Sequence, residues 1–171
     1  MTYCIRLAES ADLSHLLTLI HRKAAFDGCS NSVTATTQKL KDTLFSASPL
    51  AYILLAQSSG HKLPIGFASY HFTYSTFLAQ PSIWLDDIFI ESTYRNQGIG
   101  TQFIQQLCQI ALQHNCGRID WTVDASNQTG IRFYQKIGAK LKPEVHLCRL
   151  DSNAISSRAK DSYSSIFPAL T

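Results

Sequence analysis

The chain has 171 residues, 45% of them apolar and 16% charged, with 15 Lys and Arg against 12 Asp and Glu. That length suits one domain with a sizeable core, and a net charge of +3 is too mild for a nucleic-acid-binding surface. No stretch approaches the ~20 apolar residues of a membrane span, and the N-terminal residues lack a secretory apolar run. The expectation is a cytoplasmic protein with neither membrane nor nucleic acid as partner.

Five cysteines, Cys4, Cys29, Cys108, Cys116 and Cys148, form no C-x-x-C pair. They read as small buried thiols in a reducing compartment, with no disulfide frame and no metal site. The pair His114 and Cys116 is not a ligand set by itself. The sequon at Asn127 is a chance match in a protein that is not secreted.

In chain order, residues 3–7 read as a short strand. Residues 11–25 follow as a helix with Ser10 as its cap and Leu13, Leu16, Leu17, Ile20 and Ala24 on one face. Residues 36–45 form a weaker helix. Residues 51–56 and 65–74 read as paired strands around a polar turn at 57–62. The segment 83–90 is rich in β-branched and aromatic residues and reads as a strand. Residues 100–114 are the clearest helix, with Phe103, Leu107, Ile110 and Ala111 at helical spacing. A strand at 119–123, a helix at 129–137 and a closing strand at 145–150 complete the domain, residues 1–151. Residues 152–171 contain six serines and read as a loosely held tail. The order gives an α/β sandwich, a mixed sheet with helices on both faces.

Chemistry concentrates between residues 83 and 101. A strand ends in Arg95-Asn96-Gln97-Gly98-Ile99-Gly100 and runs at once into the strongest helix. The first N–H groups of a helix lack intrahelical partners and sit at the positive end of its dipole, which makes such a junction an anion site. Gly98 and Gly100 allow close backbone approach, and Arg95 adds a charge-assisted hydrogen bond. The loop is not a Walker A motif, and it lacks the third glycine of a dinucleotide fingerprint. Upstream, Asp86 and Asp87 lie side by side in an otherwise apolar strand, which is costly unless they are solvated or paired. Regular strand alternation sends them to opposite faces.

The spacing Arg-x-x-Gly-x-Gly resembles the pyrophosphate loop of the GNAT acetyltransferases. Downstream, Val123-Asp-Ala-Ser-Asn127 followed by Phe133-Tyr134-Gln-Lys-Ile-Gly138-Ala139 resembles the second half of the same core, and the likeness extends over nearly all of residues 3–150. The resemblance implies a GNAT-like, acyl-CoA N-acyltransferase fold of the α/β class, with a twisted, mixed and mostly antiparallel sheet flanked by helices on both faces. Phe67 to Phe77 and Trp84-Leu-Asp-Asp-Ile-Phe-Ile90 are similar to the diamine branch, the spermidine/spermine-type and thialysine-type N-acetyltransferases. Where that branch has Glu, this chain has Asp86, and its N-terminal aromatic–Glu pair is Phe26-Asp27 here.

The resemblance implies acetyl transfer from acetyl-CoA, as co-substrate and without a metal, to a primary amine of a small cationic acceptor, a polyamine, a diamine or a Lys-like amino acid. It assigns the cofactor to Ile88, Phe89 and Ile90 along the strand, to Arg95, Asn96, Gln97, Gly98, Ile99, Gly100 and Thr101 in the loop, and to Asn127. It assigns Tyr134 as the acid that protonates the leaving thiolate. Asp86 is the carboxylate that steers the ammonium and takes its proton through water, with Phe26, Asp27 and Glu144 also on the amine side. Asp87 reads as a salt-bridge partner on the other face, and His71 as a half-buried sheet residue. A homodimer is expected by the same likeness. Two other readings remain open from the residues: acetylation of a protein or peptide amine, and a CoA-binding regulatory module without turnover.

Overall fold

The computed structural model describes residues 3–58 and 63–160, and within it the chain divides into two compact units, residues 1–127 and 128–171. In the first unit, β1 (Tyr3–Leu7), β2 (Tyr52–Ser58), β3 (Gly66–Ser75), β4 (Gln80–Ile90) and β5 (Ile119–Asp120) form one sheet in chain order. The first four strands pair antiparallel, and β4 pairs parallel with β5. Helices α1 (Leu13–Phe26) and α2 (Thr37–Leu44) separate β1 from β2, and α3 (Ile99–Gln113) separates β4 from β5. The mixed, mostly antiparallel sheet of the sequence reading is present. Most of the polar turn expected at 57–62, namely 59–62, lies outside the described residues.

Strand alternation builds two cores. Leu54 and Ala56 of β2, with Ala68 and Tyr70 of β3, face Ile99, Phe103, Leu107 and Ile110 of α3. Their neighbours Ile53, Leu55 and Phe67 face Leu16 and Leu19 of α1 on the other side. Side chains buried to this degree stabilise by roughly 1.5–3 kcal/mol each relative to exposure. Leu19, rather than Leu17, completes the buried stripe of α1, so the stripe is rotated from the expected one. Ser10 does not cap α1. It opens a single 3-10 turn, Ser10–Asp12, and the Asp12 carboxylate accepts from the Glu9 N–H at 2.8 Å instead. That carboxylate also takes a two-pronged hydrogen bond from Arg6, at 2.7 and 2.8 Å, which ties α1 to β1.

Three expectations need correction. The strand at 119–123 is only two residues long, because β5 pairs with β4 at Ile83 and Trp84 and nowhere beyond. The closing strand at 145–150 does not form. No strand among the described residues pairs with this segment, and Val145, Leu147 and Leu150 are all exposed. The cysteines are not buried thiols: Cys4, Cys29, Cys108 and Cys148 are exposed, and only Cys116 is partly covered. In the second unit, α4 (Gln128–Lys136) ends at Gly138, whose positive φ stops the helix. The expected tail begins as a helix, α5 (Ser152–Lys160), started by Asp151, whose carboxylate accepts from the Ala154 N–H at 2.8 Å. Residues 161–171 lie outside the described residues.

The Arg6 hydrogen bonds hold the Asp12 carboxyl below its ordinary range, against the opposing effect of partial burial. A lowered folded-state value means the pair contributes its full stability above the unfolded value and loses it as pH falls through the folded one. Asp12→Asn is therefore expected to cost about 1 kcal/mol at pH 7. Denaturant melts at pH 7 and pH 3 check this, and the gap between variant and wild type should shrink at the lower pH.

Candidate active site

The site is organised by a bulge in β4. Ser69 pairs with Asp87, but the next residue of β3, Tyr70, pairs with Leu85, so Asp86 is the extra residue with no cross-strand partner. The bulge reverses the alternation of β4. Ile83 and Leu85 belong to the α3 core, whereas Phe89, of the same parity, belongs to the α1 core. The opposite-face expectation for Asp86 and Asp87 assumed a regular strand. In the bulged strand Asp87 shares the α1 face with Ser69, Phe67 and Phe89, and Asp86 is exposed at the bulge itself.

The second edge of β4 is paired only at Ile83 and Trp84. From Leu85 to Ile90 no described strand covers it, and residues 88–90 lie on this open stretch. A single 3-10 turn, Ser92–Tyr94, then leads to the loop. Asn96 has φ 61° and Gly98 has φ 84°, two left-handed residues that turn the chain into α3. Asn tolerates this conformation better than most side chains, and Gly bears no cost. Gly98 is the N-cap residue and makes no side-chain cap, and the first turn of α3 carries no acid. Its N-terminal N–H groups are thus not taken by a carboxylate or hydroxyl cap, which suits them to an anion.

Arg95 is half-buried and does not extend along this loop. Its Nε donates to the Ile90 carbonyl at 2.8 Å, and its Cζ stands 4.1 Å above the centre of the Phe26 ring and 5.8 Å from that of Phe89. Such a stack is worth roughly 0.5–2 kcal/mol. Gln97 donates to the Thr93 carbonyl and accepts from the Tyr3 hydroxyl, which pins the loop to β1. The exposed residues Asn96, Gln97 and Thr101 flank the helix start, with Ile99 buried beneath it.

Two of the amine-side residues of the sequence reading, Phe26 and Asp27, are brought to the same region by the end of α1. Phe26 is its last residue, and Asp27 follows it. Lys23, one turn earlier, forms ion pairs with Asp27 and with Asp87, the latter at 2.8 Å. Burial pushes the Asp87 carboxyl up, and the Lys23 ammonium only partly offsets this. Arg22 pairs with Glu91 beyond the end of β4. Neither Lys23 nor the Arg95–Phe26 stack was found by sequence reasoning. The i, i+4 spacing of Lys23 and Asp27 was a visible signal, whereas the link to Asp87 depends on the bulge.

A cavity of about 280 Å³ lies elsewhere, lined by Tyr52, Tyr70, Phe72 and His114 among others, with no β4 residue in its wall. Burial pushes the Tyr70 phenol up to about 12, so it keeps its proton throughout the neutral range. His71 is half-buried in β3 opposite Trp84. At the end of the first unit, Asp124 organises a turn by accepting from the Ser126 N–H at 2.7 Å, and Asn127 immediately precedes α4. In the second unit, Tyr134 is buried on α4 with its ring 5.2 Å from that of Phe133. Its carbonyl accepts from the Ala139 N–H at 3.0 Å, closing the helix. Glu144 is exposed, with Lys142 4.0 Å away.

An open strand edge, a bulge bearing a carboxylate and an uncapped helix start reached through a left-handed turn follow one another from β4 into α3 on a mixed sheet. The model of the acetyltransferase (GNAT) family matches residues 13–139, and the chain belongs to that family. It is an enzyme of the N-acetyltransferase class. The chain is 33% identical over 140 residues to the human spermidine/spermine N(1)-acetyltransferase-like protein 1, a match covering 79% of this chain but only 20% of that protein, so the chain spans about a fifth of it. It is 29% identical over 142 residues to the mouse thialysine N-epsilon-acetyltransferase, covering 80% of this chain and 83% of that one. Among solved structures, an integron cassette protein from the mobile metagenome of V. cholerae superposes with a TM-score of 0.77 at 28% identity, covering 94% of this chain and 99% of the other.

A Cβ placed on Gly98 meets nothing within 4 Å, so only its positive φ resists a side chain. Gly98→Ala is expected to lose about 1 kcal/mol of stability through this strain alone. Denaturant unfolding measures it, and a loss several times larger would show that the loop is packed more tightly than the geometry allows.

Proposed function

We propose that the protein transfers the acetyl group of acetyl-CoA to a primary amine of a small cationic acceptor, a diamine, a polyamine or a Lys-like amino acid, by direct attack of the amine. The observation that carries this reading is the continuity of three features. The uncovered edge of β4 runs from the bulge at Asp86, through Ile88, Phe89 and Ile90, to the turn that opens the uncapped start of α3.

The residues present fit acetyl-CoA. The β4 edge offers backbone groups to an amide-bearing arm in the manner of an added strand. The N–H groups around Gly98, Ile99, Gly100 and Thr101 suit a pyrophosphate, with Asn96 and Gln97 beside them, and Asn127 is a further contact by resemblance. Acetyl-CoA, when bound, supplies an acyl thioester whose carbonyl carbon is open to attack. A β4 N–H on the same edge polarises the carbonyl oxygen. Asp86, exposed at the bulge, attracts the acceptor's ammonium and takes its proton through water. Tyr134 returns a proton to the thiolate: an ordinary phenol near ~10 is protonated at pH 7 and can donate, and the transfer to a thiolate whose thiol lies near ~8.5 is uphill by only about 1.5 units. Phe26, Asp27 and Glu144 complete the amine side by resemblance. By the same resemblance we assign a homodimer with a small cationic amine as substrate partner, and we keep the cytoplasmic location expected from the sequence.

Release of CoA thiol from acetyl-CoA, measured with polyamines, thialysine and peptides, tests the reading. Release with small amines is expected; release only with peptides favours a protein acetyltransferase, and acetyl-CoA binding without release favours a regulatory module. Tyr134→Phe should lower turnover by roughly 10²–10⁴-fold with little change in acetyl-CoA affinity. Asp86→Asn should mainly reduce kcat/KM for the amine, and an unaltered amine profile would remove Asp86 from the mechanism.

A further inference from the structure

The last turns of α1 place a cation among the acids of the amine side. Lys23 Nζ lies 2.8 Å from Asp87 Oδ1 on β4 and is also bonded to Asp27 on the turn that follows. Its side chain is only 23% exposed. Burial works against its charge, yet the hydrogen bonds to Asp27 and Asp87 hold the ammonium above its ordinary value. Two carboxylates converging on one alkylammonium form the arrangement with which a protein grips a cationic amine. Here the gripped amine belongs to the chain itself. The other cations nearby are committed elsewhere, Arg22 to Glu91 and Arg95 to the Ile90 carbonyl and the Phe26 ring.

We propose that Lys23 is a specificity-determining residue: its ammonium fills the place between Asp27 and Asp87 that the second ammonium of a diamine or polyamine would take, and so disfavours such acceptors. The proposal rests on the acetyltransfer reading with Asp86 as the substrate carboxylate. The favoured acceptor carries its reacting nitrogen toward Asp86 and a distal end that is neutral or zwitterionic, as in a Lys-like amino acid. A zwitterion meets both signs, its carboxylate facing Lys23 and its ammonium facing Asp27. A bare second ammonium meets a like charge already in place, and like-charge juxtaposition is an effective means of rejecting a wrong partner. Asp27 and Asp87 with Lys23 sum to one negative charge; without Lys23 they sum to two, and the subsite opens.

The wild-type enzyme carries the first test. With acetyl-CoA saturating, kcat/KM is compared for butylamine, 1,4-diaminobutane and a Lys-like amino acid. The diamine should gain nothing over the monoamine beyond having two equivalent nitrogens, and a tenfold preference for the diamine would overturn the proposal. In the second test, Lys23→Met and Lys23→Gln are expected to raise the diamine-to-monoamine ratio by roughly tenfold, while Lys23→Arg keeps the wild-type ratio. An unchanged ratio in the neutral variants also overturns it. Should those variants not fold, the wild-type comparison decides alone. Failure of the underlying reading looks different: acetyl-CoA binds, but no amine releases CoA from the wild type.

Discussion

One extra residue in β4 sets the geometry on which the rest depends. A strand of eleven residues with unbroken alternation would send Leu85, Asp87 and Phe89 to a single core. The bulge at Asp86 divides them, leaving Leu85 against α3 and handing Phe89 to α1. Bulges sharpen local twist, and the pairing of β4 with β5 stops at Trp84, two residues before this one. The same departure therefore accounts for three features: an acid at the surface of an apolar strand, a second acid delivered to α1, and an uncovered strand edge beyond. An open edge is ordinarily a hazard, because it invites pairing with another chain. In the proposed function it is covered by the cofactor.

What the bulge delivers, α1 receives. Its final turns meet β4 and the following loop through Lys23 with Asp87, Arg22 with Glu91, and Phe26 with both Phe89 and Arg95. Surface ion pairs taken singly contribute little. These contacts are set side by side along one helix end and anchored by the buried Leu16–Leu19–Phe67–Phe89 cluster, so they fix the helix against the strand. Arg95 joins the two halves of the site. The resemblance assigns its place in the loop to the cofactor side, while its guanidinium rests on Phe26, which the same resemblance assigns to the amine side.

The legible parts of this chain were those written in local pattern. The α3 stripe of Phe103, Leu107, Ile110 and Ala111 repeats at helical spacing, and it is buried as the spacing requires. The Arg-x-x-Gly-x-Gly loop was read as a glycine-bearing junction that opens a helix, and α3 begins there, at Ile99 after a left-handed Gly98. The closing strand was misread for an equally physical reason. Apolar residues at Val145, Leu147 and Leu150 suit a strand, while a strand forms only if another backbone is there to pair with it. The bulge left one trace, two adjacent acids in an apolar run, which alternation alone resolved to opposite faces. Register is a property of two strands, so no window on β4 by itself reveals it.

A net charge of +3 on a chain with few charges suggested no particular partner, because the charges that matter are local and opposed. At the start of α3 the backbone itself supplies positive potential, with no acid in the first turn to cancel it. Arg95 can therefore be held by Ile90 and Phe26 without leaving the loop neutral, since unsatisfied N–H groups remain to receive an anion. On the amine side, three carboxylates within one neighbourhood would repel one another, and burial already works against ionisation of Asp87. Lys23 relieves that repulsion by pairing with two of the three, which leaves Asp86 as the acid not engaged by it. The same cation thus holds the end of α1 to β4 and leaves one carboxylate available for chemistry. In the proposed function, discrimination among acceptors follows from that arrangement, because a site whose internal cation already satisfies two acids gains little from a second ammonium on the substrate.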